Sequence, residues 1–372
     1  MSTGVDNPGD RRVFGTGGAV ALVRIAFGDR PEAPIVVHPG DPAEQRWLAA
    51  VALGARGRYA AAATLLDGVS GRSGASRAVR AHAAVTRAAH LRQSGGHLAA
   101  RRWDGLGLAL ATDPENGGGG AENAIENLAT ESAETAESVE NTTLRDGADP
   151  GGADPGGAGL DLPAARVDAL LGLAADAIGL ADLELADRLL RLAEPAAAEH
   201  PSWRPGVRWH WVRAELALSQ NRPEPAIDWA RPALARATAA GAVRHQVKSA
   251  LVLAAAEAGA GSPPERVIAV LSKLSERTRR SGLWTLEWPI QLMLAGLVEP
   301  IDLDRSTTHR SRAAQIVWTI RRHSDPFARS VLDRSPWVPT LSETKLLHLD
   351  PYHPAETRRS AHSSRMECKN KP

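Results

Sequence analysis

AVALGARGRYAAA, residues 50–62, and AELALSQNRPEPA, residues 214–226, share the pattern that decides the fold. In each, a small residue (Ala50, Ala214) stands seven positions before a turn residue (Gly57, Asn221), and a second small residue (Ala62, Ala226) stands five after it. The same three marks return at Ala88, Gly95 and Ala100, at Ala174, Ala181 and Ala186, and at Ala255, Ser262 and Val267. The third marks lie 38, 86, 40 and 41 residues apart, and the 86 becomes 41 once a 45-residue low-complexity stretch, 114–158, is taken out. A period near 40 built as helix, turn, helix predicts stacked units, none of which buries its apolar face alone. Small residues at the marks let crossing helices approach to about 8–10 Å.

Working outward, Asp41-Pro42-Ala43-Glu44 reads as a helix start: a capping Asp, proline in the first turn and a Glu three after the cap. Trp47 and Val51 follow, then after Gly57 a second helix with Tyr59, Ala62, Leu65, Leu66 and Val69 at spacings of three and four. Further units are expected from Ser76 to Thr112, Asp161 to His200, Pro205 to Gly241, and from Ala242, with a last second helix capped at Ser262 before Pro263-Pro264-Glu265. Pro232, inside one of these helices, is expected to kink or restart it. Helices at Trp284–Leu297 and Ser311–Arg322 are expected to close the array, and Ala19–Phe27 to form a short helix or strand.

The domain organisation expected is a partly ordered N-terminal segment (1–40), repeats one and two (41–112), an acidic disordered insert (113–160), and repeats three to five with the start of a cap (161–298). A basic helical cap (299–339) and a disordered tail (340–372) follow. The insert carries eleven Asp and Glu against Arg145 alone, a net charge of −10, so the remainder of the +1 chain carries +11. Low apolar content with high charge does not offset the entropy of ordering.

Cys368 is the single cysteine, which excludes an intrachain disulfide and a cysteine-based metal site. The opening MSTGVDNPGDRRV lacks the basic-then-apolar pattern of a signal peptide, and the apolar stretch Gly18–Gly28 is broken by Arg24 and too short to cross a bilayer. A soluble cytoplasmic protein with no membrane partner is expected.

Gly57-Arg58-Tyr59-x-x-Ala62 with Leu66, Asn221-Arg222-Pro223-x-x-Ala226 with Ala230 and Ala233, and Ala174, Leu183, Ala186, Leu190 and Ala193 resemble tetratricopeptide repeats. The resemblance covers about 41–112 and 161–280, and the chain departs from the family in three respects. Its period is nearer 40 than 34, Ala holds the small position before the end of each first helix, and Asp104 replaces an apolar residue. The resemblance implies an all-α fold, a right-handed α-solenoid of stacked antiparallel helix pairs. It also implies a concave face of first helices, on which Trp47, His82, Val85, Trp211, Glu215 and Ser249 would form a partner-binding groove.

Ten tryptophans against three phenylalanines offer anchors for a partner, with Trp209, Trp211, Trp284 and Trp288 foremost, although filling gaps between Ala-rich helices is the more ordinary role of such residues. The twelve histidines show no His-Glu-x-x-His pattern, and Trp209-His210-Trp211 reads as structural. Gly68-Val-Ser70-Gly71 misses the spacing of a serine nucleophile turn, and Gly15-Thr16-Gly17-Gly18 lacks the Lys-Ser/Thr of a phosphate loop. Arg277, Arg279, Arg280, Arg310, Arg312, Arg321 and Arg322 form the densest basic cluster. The expected function is therefore a non-catalytic scaffold for a protein or peptide partner, without metal or cofactor. A regulatory protein contacting nucleic acid through its basic C-terminal region is the rival, and an enzyme without a recognisable motif the second.

Overall fold

The computed structural model describes residues 13–70, 74–112, 157–336 and 338–339, and among these every regular element is a helix. The helices are α1 (Val13–Ala26), α2 (Ala43–Ala55), α3 (Tyr59–Ser70), α4 (Arg77–Gln93), α5 (His97–Ala111), α6 (Leu162–Gly179) and α7 (Leu183–Glu199). They continue as α8 (Trp203–Ser219), α9 (Pro223–Ala239), α10 (Val243–Gly259), α11 (Pro264–Ser281), α12 (Trp284–Val298), α13 (Leu303–Arg322) and α14 (Pro326–Arg334). Each packs on the next in chain order. The disorder expected of 113–156 and of the tail 340–372 lies outside the described residues.

One backbone device closes each pair. Gly57, Gly95, Ala181 and Asn221 adopt left-handed φ of 70°, 80°, 64° and 58°. In each turn the amide of the following residue bonds back five positions (Arg58 to Leu53 O, Gly96 to Leu91 O, Asp182 to Ala177 O, Arg222 to Ala217 O, all 2.9 Å). This helix-terminating motif satisfies the last carbonyls without side chains. The small marks are its packing counterpart: Ala50, Ala62, Ala88, Ala100, Ala174, Ala186, Ala214, Ala226 and Val267 are all 0 % exposed.

Unit five departs by one residue. The left-handed residue is Gly261, not Ser262, and the fully enclosed alanines flank Ala255 at 254 and 256. The turn gains a residue because two prolines follow, and α11 starts at Pro264 with Pro263 in the cap position and no side-chain cap from Ser262. Asp41 likewise does not cap α2; it accepts from the His38 amide at 2.7 Å, and Pro42 holds the cap position. α9 runs unbroken through Pro232, so the expected restart does not occur. Ala230, Ala233 and Ala237 around it are fully buried, and this packing outweighs one lost backbone bond.

The first helices α2, α4, α6, α8, α10 and α12 each touch the next, and α12 also touches α2. They make a closed circuit, with the second helices around it. Thr285 Oγ1 donates to Ala55 O (3.1 Å) and Ala60 N to His323 O (2.8 Å), while Tyr59 packs with Ile316, Val317, Ile320 and Leu332. The C-terminal helices thus cover the apolar face of the last unit, where Ile290 and Leu294 pack with Val247, Leu251, Val267 and Leu271, and also the apolar end of the first. The N-terminal segment is pinned inside: Phe27 lies between Trp47 and His245, Val243 N donates to Gly28 O (3.0 Å), and Arg56 donates to Pro31 O and Ala33 O. Residues 157–160, at the edge of the expected insert, are ordered, and Ala158 is 1 % exposed.

Candidate functional site

The first helices turn a layer of polar and aromatic side chains toward the interior of the circuit. From α2 comes Trp47, whose indole donates to Thr86 Oγ1 (2.9 Å) and stacks on His82 of α4, ring centroids 4.6 Å apart and planes 17° apart. His82 Nε2 lies 3.1 Å from Asp161 O and its Nδ1 3.6 Å from Asp168 of α6. Burial, then the Arg204 charge, lowers the His82 pKa to about 4, so the ring is neutral at pH 7.

Asp168 organises this layer. Its Oδ2 accepts from Arg204 Nη1 (2.5 Å), and its Oδ1 lies 2.7 Å from Arg208 Nη1. Burial opposes its ionisation, but the two guanidiniums outweigh that and hold its pKa below the usual carboxylate value. Arg204, 2 % exposed, also donates to Ala158 O and Gly159 O (both 2.5 Å) and lies 5.1 Å over the Phe27 ring. A cleft of about 370 Å³ lined by Val23, Phe27, Ala158, Trp203 and Gly241, with Arg24 and Asp29 at its edge, opens beside this point.

A second network joins α4, α5 and α6. Arg92 holds Asp176 (2.7 Å) and Asp104, both 0 % exposed, and His97 Nδ1 lies 3.3 Å from Asp176. Burial pushes the Asp104 carboxyl well above its usual range; Arg92 opposes this and the Asp176 charge adds to it. The approach requires glycine: a Cβ on Gly172 would sit 2.3 Å from Asp104 Oδ1. This explains the departure at Asp104, which meets a charge partner rather than an apolar neighbour.

A third cluster spans α8 and α10. Trp211 donates to Ser249 Oγ (2.7 Å) and stacks on His245 (5.2 Å, 21°), and Glu215 pairs with Lys248 at 2.6 Å. The six residues assigned to the groove therefore fall into distinct surroundings. Trp47 and His82 form one stacked pair, Val85 is 3 % exposed in the core beside Leu108 and Leu170, and Ser249 is enclosed under Trp211. Trp211 and Glu215 are half-buried.

Among the remaining tryptophans, Trp209 is 6 % exposed and donates to Leu190 O (2.9 Å), while Trp284 and Trp288 pack against the Tyr59 cluster. Most of the C-terminal arginines have partners: Arg280 with Glu276, Arg310 with Glu299, Arg321 with Asp333, Arg277 with Gln246, and Arg322 over the Trp318 ring. Among the described residues no group of three His, Cys, Asp or Glu is placed to hold a metal, and no helix is long and apolar enough to cross a membrane.

Sequence reasoning missed Asp168, Arg204 and Arg208. Their signal was Arg204-x-x-x-Arg208 at helical spacing in a segment whose neighbours Pro205, Gly206 and Val207 are buried. No protein-family model and no curated protein matches the chain.

Proposed function

We propose that the chain is a tetratricopeptide-like helical repeat, its pairs wound as a right-handed solenoid, that binds a protein or peptide partner and has no catalytic role. The observation that carries this reading is the seam between α8 and α10. There Trp211 and Glu215, one turn apart, stay half-buried while Ser249, His245 and Lys248 hold them in place. A fixed aromatic beside a charged pair supplies what partner contacts draw on: a rigid apolar anchor with a polar rim. The paired state of most C-terminal arginines leaves the nucleic-acid reading without comparable support.

The test is affinity capture from the native lysate by the full chain and by Glu215→Ala, with thermal melts alongside. A folded Glu215→Ala protein that captures at least about tenfold less of a specific partner supports the reading. Undiminished capture by that protein removes the seam from it.

A further inference from the structure

A cleft of about 370 Å³ opens where the end of α1 meets the end of α9, a volume within the range of small-molecule sites. Its walls are aromatic. Phe27, 6 % exposed, is backed by the Trp47 ring, centroids 5.9 Å apart, and by the Arg204 guanidinium 5.1 Å over its own ring. Trp203, half-buried, stands edge-on to His245 at 4.8 Å and packs with Val207, Ala233 and Ala237. Val23 and Ala158, 4 % and 1 % exposed, complete the apolar lining. The two sides are tied together by the Val243 amide, which donates to Gly28 O at 3.0 Å. Two rings held by their neighbours offer a flat apolar group its contact area without reordering the protein.

The rim carries polar groups of both signs. Asp29 is exposed, and its carboxylate accepts from Arg24 Nε (2.9 Å) and Nη2 (2.8 Å). The Arg24 hydrogen bond lowers the Asp29 pKa, so this group is ionised at pH 7. Each Asp29 oxygen takes one bond from Arg24 and keeps acceptor capacity, while the other N–H groups of Arg24 have no acceptor among the described residues. α9 ends at Ala239, and the carbonyls of Ala239, Ala240 and Gly241 accept no hydrogen bond among the described residues. They form the negative end of the helix dipole. Acceptors that lack donors thus stand beside donors that lack acceptors. An ammonium matches the first set and a carboxylate the second.

We propose that this cleft binds a free aromatic α-amino acid, its ring against Phe27 and Trp203, its ammonium on Asp29 and the α9 carbonyls, and its carboxylate on Arg24. The Arg24–Asp29 pair is neutral overall, which matches a zwitterion better than an amine or an acid alone. A residue inside a peptide lacks both charged groups, and a chain end lacks one of them. Neither Trp211 nor Glu215 lines the cleft, so the site goes beyond the partner-binding reading and does not depend on it.

The test is isothermal titration of the full chain with L-tryptophan and L-phenylalanine. Three reference compounds accompany them: tryptamine lacks the carboxylate, 3-indolepropionate lacks the ammonium, and glycine lacks the ring. Saturable binding of one or both aromatic amino acids is expected, with a rise in melting temperature at saturation. Tryptamine and 3-indolepropionate should bind at least about fivefold more weakly, the scale of one half-exposed charged contact. Glycine should not bind. Asp29→Asn, on the exposed rim, should weaken binding of the amino acid at least about fivefold, whereas Glu276→Gln, on the exposed face of α11, should leave it unchanged. Trp203→Leu keeps an apolar side chain without the ring face and should weaken binding as well. The ligand series on the parent protein decides the matter even if a variant does not fold. No saturable binding of either amino acid, tryptamine or 3-indolepropionate binding as tightly, glycine binding equally well, or unaltered affinity in Asp29→Asn overturns the proposal.

Discussion

Trp47 and His82 lie face to face across the boundary between the first two units, 4.6 Å between ring centres, with the imidazole bridging onward to Asp161 O and Asp168. One aromatic pair thus ties α2 to α4 and, through Asp168, to α6 and α8. Trp47 is 1 % exposed. Trp47→Ala is expected to cost about 3–5 kcal/mol, read as a lowered denaturation midpoint. A loss below about 1 kcal/mol would mean the pair is peripheral to stability.

Acid should weaken the fold through its buried imidazoles. The folded pKa of His82 is about 4 and that of His90 about 3, both below the unfolded value of 6.5. The stability gained by keeping these rings neutral is complete above pH 6.5 and is lost as pH falls from there toward the folded values. His82 alone should account for about 3 kcal/mol of loss on reaching pH 4. Asp104, with its raised pKa, acts in the opposite sense, so the measurement compares urea denaturation of the parent and His82→Gln between pH 7 and pH 4.5. Identical pH slopes in the two proteins would contradict the assignment.

Arg92 should be needed for stability even though it touches no surface partner. Arg92→Met leaves Asp104 and Asp176 enclosed without a cation, and a loss of about 3–5 kcal/mol is expected. The double change Arg92→Met with Asp176→Asn should recover part of that loss, and equilibrium unfolding of the single and double variants gives the coupling.

The boundary of the acidic stretch can be located by deletion. Replacing 114–156 with a short Gly/Ser linker is expected to leave the melting temperature within a few degrees. Extending the replacement through Ala158 and Gly159 removes two acceptors of Arg204 and should lower it clearly. Equal melting temperatures for the two deletions would show that these carbonyls contribute nothing.

The helix pairs were legible because turn and packing write local marks: a left-handed residue at Gly57, Gly95, Ala181 and Asn221, and a fully enclosed alanine five positions later. The one-residue slip in unit five escaped because the run Ala254-Ala255-Ala256-Glu257-Ala258 offers several equivalent registers, and only Gly261 φ of 78° separates them. Closure of the circuit left no local trace, since Thr285 and Ala55 meet across 230 residues through a threonine hydroxyl and a backbone carbonyl. At the interior, the aromatic halves Trp47, His82 and Trp211 were readable from the repeat template. Asp168, Arg204 and Arg208 were not, because their pairing depends on which helices become neighbours in space.

Contact between α12 and α2 also changes how the molecule should come apart. In a linear stack, end repeats fray first and partial unfolding spreads inward, so stability grows with the number of nearest-neighbour interfaces. Here the first and last pairs lack that outer boundary, and removing either one strips two interfaces instead of one. Unzipping has no preferred starting end, and loss of the C-terminal pair reaches Tyr59 and Ala55 in the first unit as directly as it reaches α11.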